Sequence, residues 1–141
     1  MSASPLNAIR AGPPLKVLVL SNGAGEDRIA CLLCRSLRAV LDQVRISALP
    51  LVGEGGAYRE AGIPVVGNAV HTPESGFQYL RPGGLGADLL RGMPSRISAW
   101  RRAVRGWHRS SGEAPKLIIA VGDIVPLALA RSSGADFVFI G

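Results

Sequence analysis

A short, unbroken apolar run, Lys16-Val-Leu-Val-Leu20, opens directly into a glycine turn, Ser21-Asn-Gly-Ala-Gly-Glu-Asp27. A strand that is apolar at successive positions, not at alternate ones, has to be covered on both faces, as in the interior of a parallel sheet. After the turn, apolar residues recur at Ile29, Leu32, Leu33, Leu37, Val40 and Leu41, a helical spacing that ends near Asp42. Val44-Arg-Ile-Ser-Ala-Leu49 is a second strand, stopped by Pro50. Two strands joined by a helix form a βαβ unit, and this unit commits the chain to a parallel α/β sheet.

The remainder of the chain continues that theme. Leu51-Val-Gly-Glu-Gly-Gly56 is a second glycine loop, followed by a short helix over Ala57–Ala61 and a brief third strand at Pro64-Val-Val-Gly67. Asn68 to Gly86 is rich in Gly and Pro and reads as a long loop. Leu89 to His108 is helical in character, with a break or kink expected at Gly92-Met-Pro94. Lys116-Leu-Ile-Ile-Ala-Val121 is the clearest strand. Gly122-Asp123 is its turn, Ile124–Arg131 is a helix that tolerates Pro126 in its first turn, and Phe137-Val-Phe-Ile140 is a last strand. Because a doubly wound sheet normally closes with another helix, a continuation beyond Gly141 is expected.

Composition narrows the class. Hydrophobic residues make up 48% and charged residues 18% of the 141, a globular balance, and aromatics are only 5%, so the core is built from aliphatic side chains in layers. The leader Met1–Pro14 lacks the apolar core of a secretory signal, and no run is long enough to span a membrane. The expectation is a cytoplasmic protein, at most peripheral at the inner membrane. Net charge is +6, with fourteen of sixteen basic residues being Arg, and six of these lie between Arg91 and Arg109 with no acid among them. Trp100 and Trp107 sit within this patch among Arg101, Arg102 and Arg105. One reading is a helix that packs Trp and Val inward under a solvated Arg face; the other is an interfacial helix on anionic lipid. No RNA-binding module is present, so nucleic acid is not expected as a partner.

Cys31 and Cys34 form C-x-x-C, but in the second turn of a helix, flanked by Leu32 and Leu33, whereas redox pairs of this spacing begin a helix. They read as buried structural thiols. His71 and His108 have no ligand spacing, so no metal is expected, and no cofactor either.

In an open parallel sheet, ligands bind beyond the carboxyl ends of the strands. Three turns meet there: Ser21–Asp27, Val52–Gly56 and Gly122–Asp123. Gly23 and Gly25 supply two glycines of a dinucleotide fingerprint, but Arg28 stands at the third position and Leu49-Pro50 replaces the ribose-binding acid. Glu26 and Asp27 would repel a pyrophosphate at the helix N-terminus. These acids also favour the helix dipole, which explains them without function. Asp27 and Asp123 are the catalytic candidates, Asp123 doubling as the N-cap of the following helix. Asn22, Gly23, Gly25, Glu26, Gly53, Glu54 and Gly122 are the substrate-binding candidates, and Tyr58 has weaker support.

Taken in order, Lys16–Asp27, Ala48-Leu-Pro-Leu-Val-Gly-Glu-Gly55, Gly62-Ile-Pro64 and Ala120-Val-Gly-Asp-Ile-Val-Pro-Leu-Ala128 resemble the lipid-A-disaccharide-synthase-related proteins of the cyanobacterial type, over Lys16 to Gly141. The resemblance implies the amino-terminal, acceptor-side Rossmann-like domain of a GT-B glycosyltransferase. It implies transfer of a sugar from a UDP-sugar to a glycolipid, with Gly25, Asp27 and Asp123 at the functional motif positions. It also implies membrane contact by Trp100, Arg101, Arg102, Arg105 and Trp107. Two departures stand out: Ala24 occupies a position where such relatives usually carry His, and no donor domain follows. The chain is therefore expected to be truncated and inactive alone, taking a UDP-sugar only with a carboxyl-terminal domain. The alternatives are a non-catalytic module that binds lipid or a partner chain and, less favoured, a stand-alone nucleotide-binding domain.

Overall fold

The computed structural model describes residues 13–67 and 84–141, and for residues 84–93 the backbone alone. The expected leader up to residue 12, most of the expected loop (residues 68–83) and His71 lie outside the described residues. The order of elements is β1 (Leu15–Ser21), α1 (Ala24–Val40), β2 (Val44–Pro50), α2 (Gly56–Glu60), α3 (Gly84–Ser110), β3 (Lys116–Val121), α4 (Ile124–Ser132) and β4 (Asp136–Ile140). All four strands are parallel, in the order β2-β1-β3-β4, with helices on both faces: a Rossmann-like α/β sheet.

β1 lies at the centre, paired with β2 from Leu15 to Ser21 and with β3 from Lys16 to Ser21. Val17, Leu18, Val19 and Leu20 are completely buried, which is why the run could not alternate. Leu18 and Leu20 point to one face, where Trp100, Val104 and Trp107 of α3 and Leu129 and Ala130 of α4 cover them. Val17 and Val19 point to the other, under Ala30 and Cys34 of α1, Tyr58 of α2 and Ile63.

Several expectations from the sequence change here. The inward face of α1 is made by Asp27, Ala30 and Cys34, while Ile29, Leu32 and Val40 are exposed. Small residues let the helix approach the sheet closely, and the larger aliphatics are left on its outer flanks. The third strand is a single parallel bridge, Val65 to Ala48, made by Ala48 N–H to the Pro64 carbonyl at 2.9 Å and Val66 N–H to the Ala48 carbonyl at 2.8 Å. Pro64 lacks an N–H, which limits any longer ladder. α3 runs unbroken from Gly84 to Ser110 with Pro94 inside it, so Gly84 to Gly86, expected in the loop, are helical and Pro94 does not end the helix.

Gly55 is in the left-handed region at φ 73°, and a Cβ there would lie 2.9 Å from Pro50 Cγ and 3.1 Å from Val65 Cγ2. Only glycine lets this loop close over the end of β2.

Trp100 and Trp107 are 6% and 8% exposed, inside the core and unavailable to a membrane surface, while Arg101, Arg102 and Arg105 are exposed on the opposite side of α3. Trp107→Ala should therefore cost about 3–5 kcal/mol in guanidinium unfolding, whereas Arg102→Gln should change stability by no more than about 0.5 kcal/mol.

Candidate functional site

The carboxyl edge of the sheet gathers the three predicted turns. The first is tighter than expected: Ser21 belongs to β1 and α1 begins at Ala24, leaving only Asn22 and Gly23 between them. The Asp27 N–H donates to the Gly23 carbonyl at 2.9 Å, so Asp27 and Glu26 lie in the first turn of α1.

The β3 turn leans against this one. Asn22 Nδ2 donates to Asp123 Oδ2 at 2.7 Å, and the Val125 N–H donates to Asp123 Oδ1 at 2.9 Å. Asp123 is thus the N-cap of α4, as its place after Gly122 predicted. Its carboxylate is exposed and held at both oxygens, and each oxygen keeps a further lone pair for a ligand hydroxyl. Gly122, at φ 125°, allows the approach: a Cβ there would be 3.4 Å from both Asn22 Cβ and Glu26 Cγ.

Asp27 is placed differently. It is only 5% exposed and forms the floor of a cleft of about 340 Å³ between the start of α1 and the second glycine loop. Gly53, Glu54 and Gly55 form the facing wall, and Arg28 and Glu60 lie at the rim. Asp123 is not part of this lining. The two catalytic candidates therefore occupy separate positions, Asp27 in the cleft and Asp123 on the open edge beside Asn22. Gly25 is exposed, with open space around it.

Beneath the cleft lies a buried polar junction. Ser21 Oγ is 2.5 Å from Asp27 Oδ1 and 2.5 Å from the Tyr58 hydroxyl, and both Ser21 and Tyr58 are completely buried. Because the Ser21 hydroxyl has one proton and Asp27 accepts it, Tyr58 is the donor to Ser21. Burial pushes the Asp27 carboxyl above its usual 3.8; the Ser21 hydrogen bond pulls it down, and the nearby Glu26 charge adds to the rise. Burial likewise raises Tyr58, against the Ser21 hydrogen bond. Ser21 was missed in the sequence, although a period of two from Val17 and Val19 would have put it on the Tyr58 face.

The C-x-x-C pair is two free thiols, Cys34 buried and Cys31 half-buried. Burial raises both, Cys34 to about 11, so neither has the depressed pKa of a redox thiol. No group of His, Cys, Asp and Glu that could hold a metal ion occurs among the described residues, and no helix among them is long and apolar enough to cross a membrane.

No protein-family model matches the chain, and no curated protein matches it.

Raised above 3.8, Asp27 binds its proton more tightly in the fold than in the unfolded chain. Its contribution to stability is then full below pH 3.8 and is lost as pH rises through the folded pKa. Asp27→Asn, which keeps an acceptor for Ser21, should be more stable than the native chain in urea at neutral pH. That gain should shrink as pH falls towards 3.8.

Proposed function

We propose that the chain is the acceptor-binding portion of a lipid-A-disaccharide-synthase-like glycosyltransferase, which moves a sugar from a UDP-sugar to a glycolipid and requires a carboxyl-terminal donor domain to do so. The observation that carries this reading is the Asn22–Asp123 hydrogen bond, which ties the first and third turns together at the ligand-binding edge of the sheet. Asn22 lies in the first and Asp123 in the last of the four motifs on which the family resemblance rests.

In this reading Asp123 takes the proton of the acceptor hydroxyl, the freed oxygen attacks the anomeric carbon of the donor sugar, and the UDP group leaves with the bonding pair. Asn22 holds the carboxylate in place. Asp27 sits deep in its cleft with Gly53 and Glu54 opposite, and it orients the acceptor more readily than it exchanges protons with it. The exposed Arg101, Arg102 and Arg105 of α3 form a basic face for an anionic bilayer, at about 1 kcal/mol per residue near the surface. With Trp100 and Trp107 in the core, that contact is electrostatic only.

With the chain joined to a donor domain, Asp123→Asn should lower sugar transfer by about 100- to 10,000-fold. The fold should survive, because Asn caps helices as well as Asp. Unchanged turnover would remove Asp123 from the role. Co-sedimentation with anionic vesicles should fall when Arg101 and Arg102 are both changed to Gln, and should weaken with salt; binding at the native level would exclude the basic face.

A further inference from the structure

The flank of α1 that faces α2 carries a regular row of cations. Arg28, Cys31, Arg35 and Arg38 follow at intervals of three, four and three residues, which keeps them on one side of a helix. They line a groove of about 570 Å³, whose other wall is Ala57 of α2 with Ala61 and Ile63 just beyond it. The groove exists because the facing residues are small: Ala57, Ala61 and Cys31 leave a gap that larger side chains would fill. Both walls belong to the described residues. The second leads into Val65, which pairs with Ala48 of β2, so the groove stands at the β2 side of the sheet, away from β4.

Charge separates this groove from the cleft beside it. The two share Arg28, Ala57 and Glu60. The cleft has Asp27 at its floor and Glu54 on its wall, which repel an anion. Among the residues lining the groove Glu60 is the one acid, against three arginines, an excess of two positive charges. Two of these arginines act on the thiols of the groove. Burial and then Asp27 push the Cys31 thiol up, and the Arg35 charge pulls it down; burial and then Cys31 push Cys34 up, against the pull of Arg38. Arg38 also reaches across to the far wall, its Nη1 donating to the Ala61 carbonyl at 3.4 Å.

We propose that the groove between α1 and α2 is a binding site for a phosphoryl dianion, held by Arg35 and Arg38 with Arg28 at its cleft end. A phosphate monoester carries close to two negative charges at neutral pH, which matches the excess in the groove. Each planar guanidinium meets two phosphate oxygens at once, which a lysine does not. Arg35 and Arg38 lie about 4.5 Å apart along the helix axis, close enough to share one phosphoryl group. Buried Cys34 and Ile63 form an apolar floor, and charge pairs strengthen where water is displaced. The phosphoryl group belongs either to a soluble phosphate ester or to a lipid headgroup.

Cys31 reports on occupancy, because it is half-buried in the groove while Cys34 is buried beneath it. Alkylation of the 141-residue chain by iodoacetamide is followed at Cys31 by fragment mass spectrometry, with glycerol phosphate as the soluble probe and phosphatidic acid vesicles as the lipid one. Saturating probe should slow the reaction about threefold, since a bound anion offsets the Arg35 charge and covers the thiol. Sodium chloride at equal ionic strength should not. Changing both Arg35→Gln and Arg38→Gln should abolish the protection with an unchanged circular dichroism spectrum, and Arg131→Gln, exposed on α4, should keep it. Protection by both probes, or by either alone, supports the site and identifies the source of the phosphoryl group. No protection by either probe, equal slowing by chloride, or protection that survives the double change would overturn the proposal. Vesicles that dock only by the arginines of α3 lie on the other face of the sheet and leave Cys31 open, so this site and the transferase reading fail separately.

Discussion

Everything in this molecule depends on the burial of β1. Hydrogen-bonded on both sides and covered on both faces, it can carry no polar side chain along Val17–Leu20, so its chemistry is pushed to the carboxyl end. The first polar side chain after that run, Ser21, is itself fully buried, and a buried hydroxyl without partners is costly. Asp27 from α1 and Tyr58 from α2 supply those partners. One serine therefore joins the central strand to both helices on that face and sets the floor of the cleft.

The same edge separates two kinds of carboxylate. Asp27 lies in low dielectric, where a proton is retained more tightly, and its surroundings are fixed by the core. Asp123 stands in the open, held by the Asn22 amide and by the start of α4. In the proposed transferase an exposed carboxylate on the open edge suits proton transfer, and a buried one suits positioning. Within the described residues, burial falls from β1 through β3 to β4, where Phe137, Val138 and Phe139 are 39–47% exposed.

Much of the fold was legible. Continuous apolar runs at Lys16–Leu20 and Lys116–Val121, glycine turns and a helical period between them point to a parallel α/β sheet, and four of the five expected strands, α2 and α4 fall where they were expected, the strand at Pro64–Gly67 shrinking to one bridge. The helix faces were less so. Of the apolar period read along α1, Leu33 and Leu37 pack against the core while Ile29, Leu32 and Val40 are exposed, because a helix seated on a sheet needs small residues at closest approach, here Ala30 and Cys34. On α3 the tryptophans are equally compatible with core and membrane by spacing alone. Packing against Leu18 and Leu20 decides between the two.

For the site, local sequence was sufficient where the interaction is local. Asp123 caps α4 because a carboxylate that follows Gly122 and precedes a helix has backbone N–H groups within reach, whatever the rest of the chain does. It was not sufficient for partners far apart in sequence. That Asn22 would meet Asp123, and that Ser21 would bind both Asp27 and Tyr58, follows only from the order of strands and the seating of two helices on one face. Strand order and helix seating are settled by burial summed over the whole sheet, and no short stretch of residues encodes that sum.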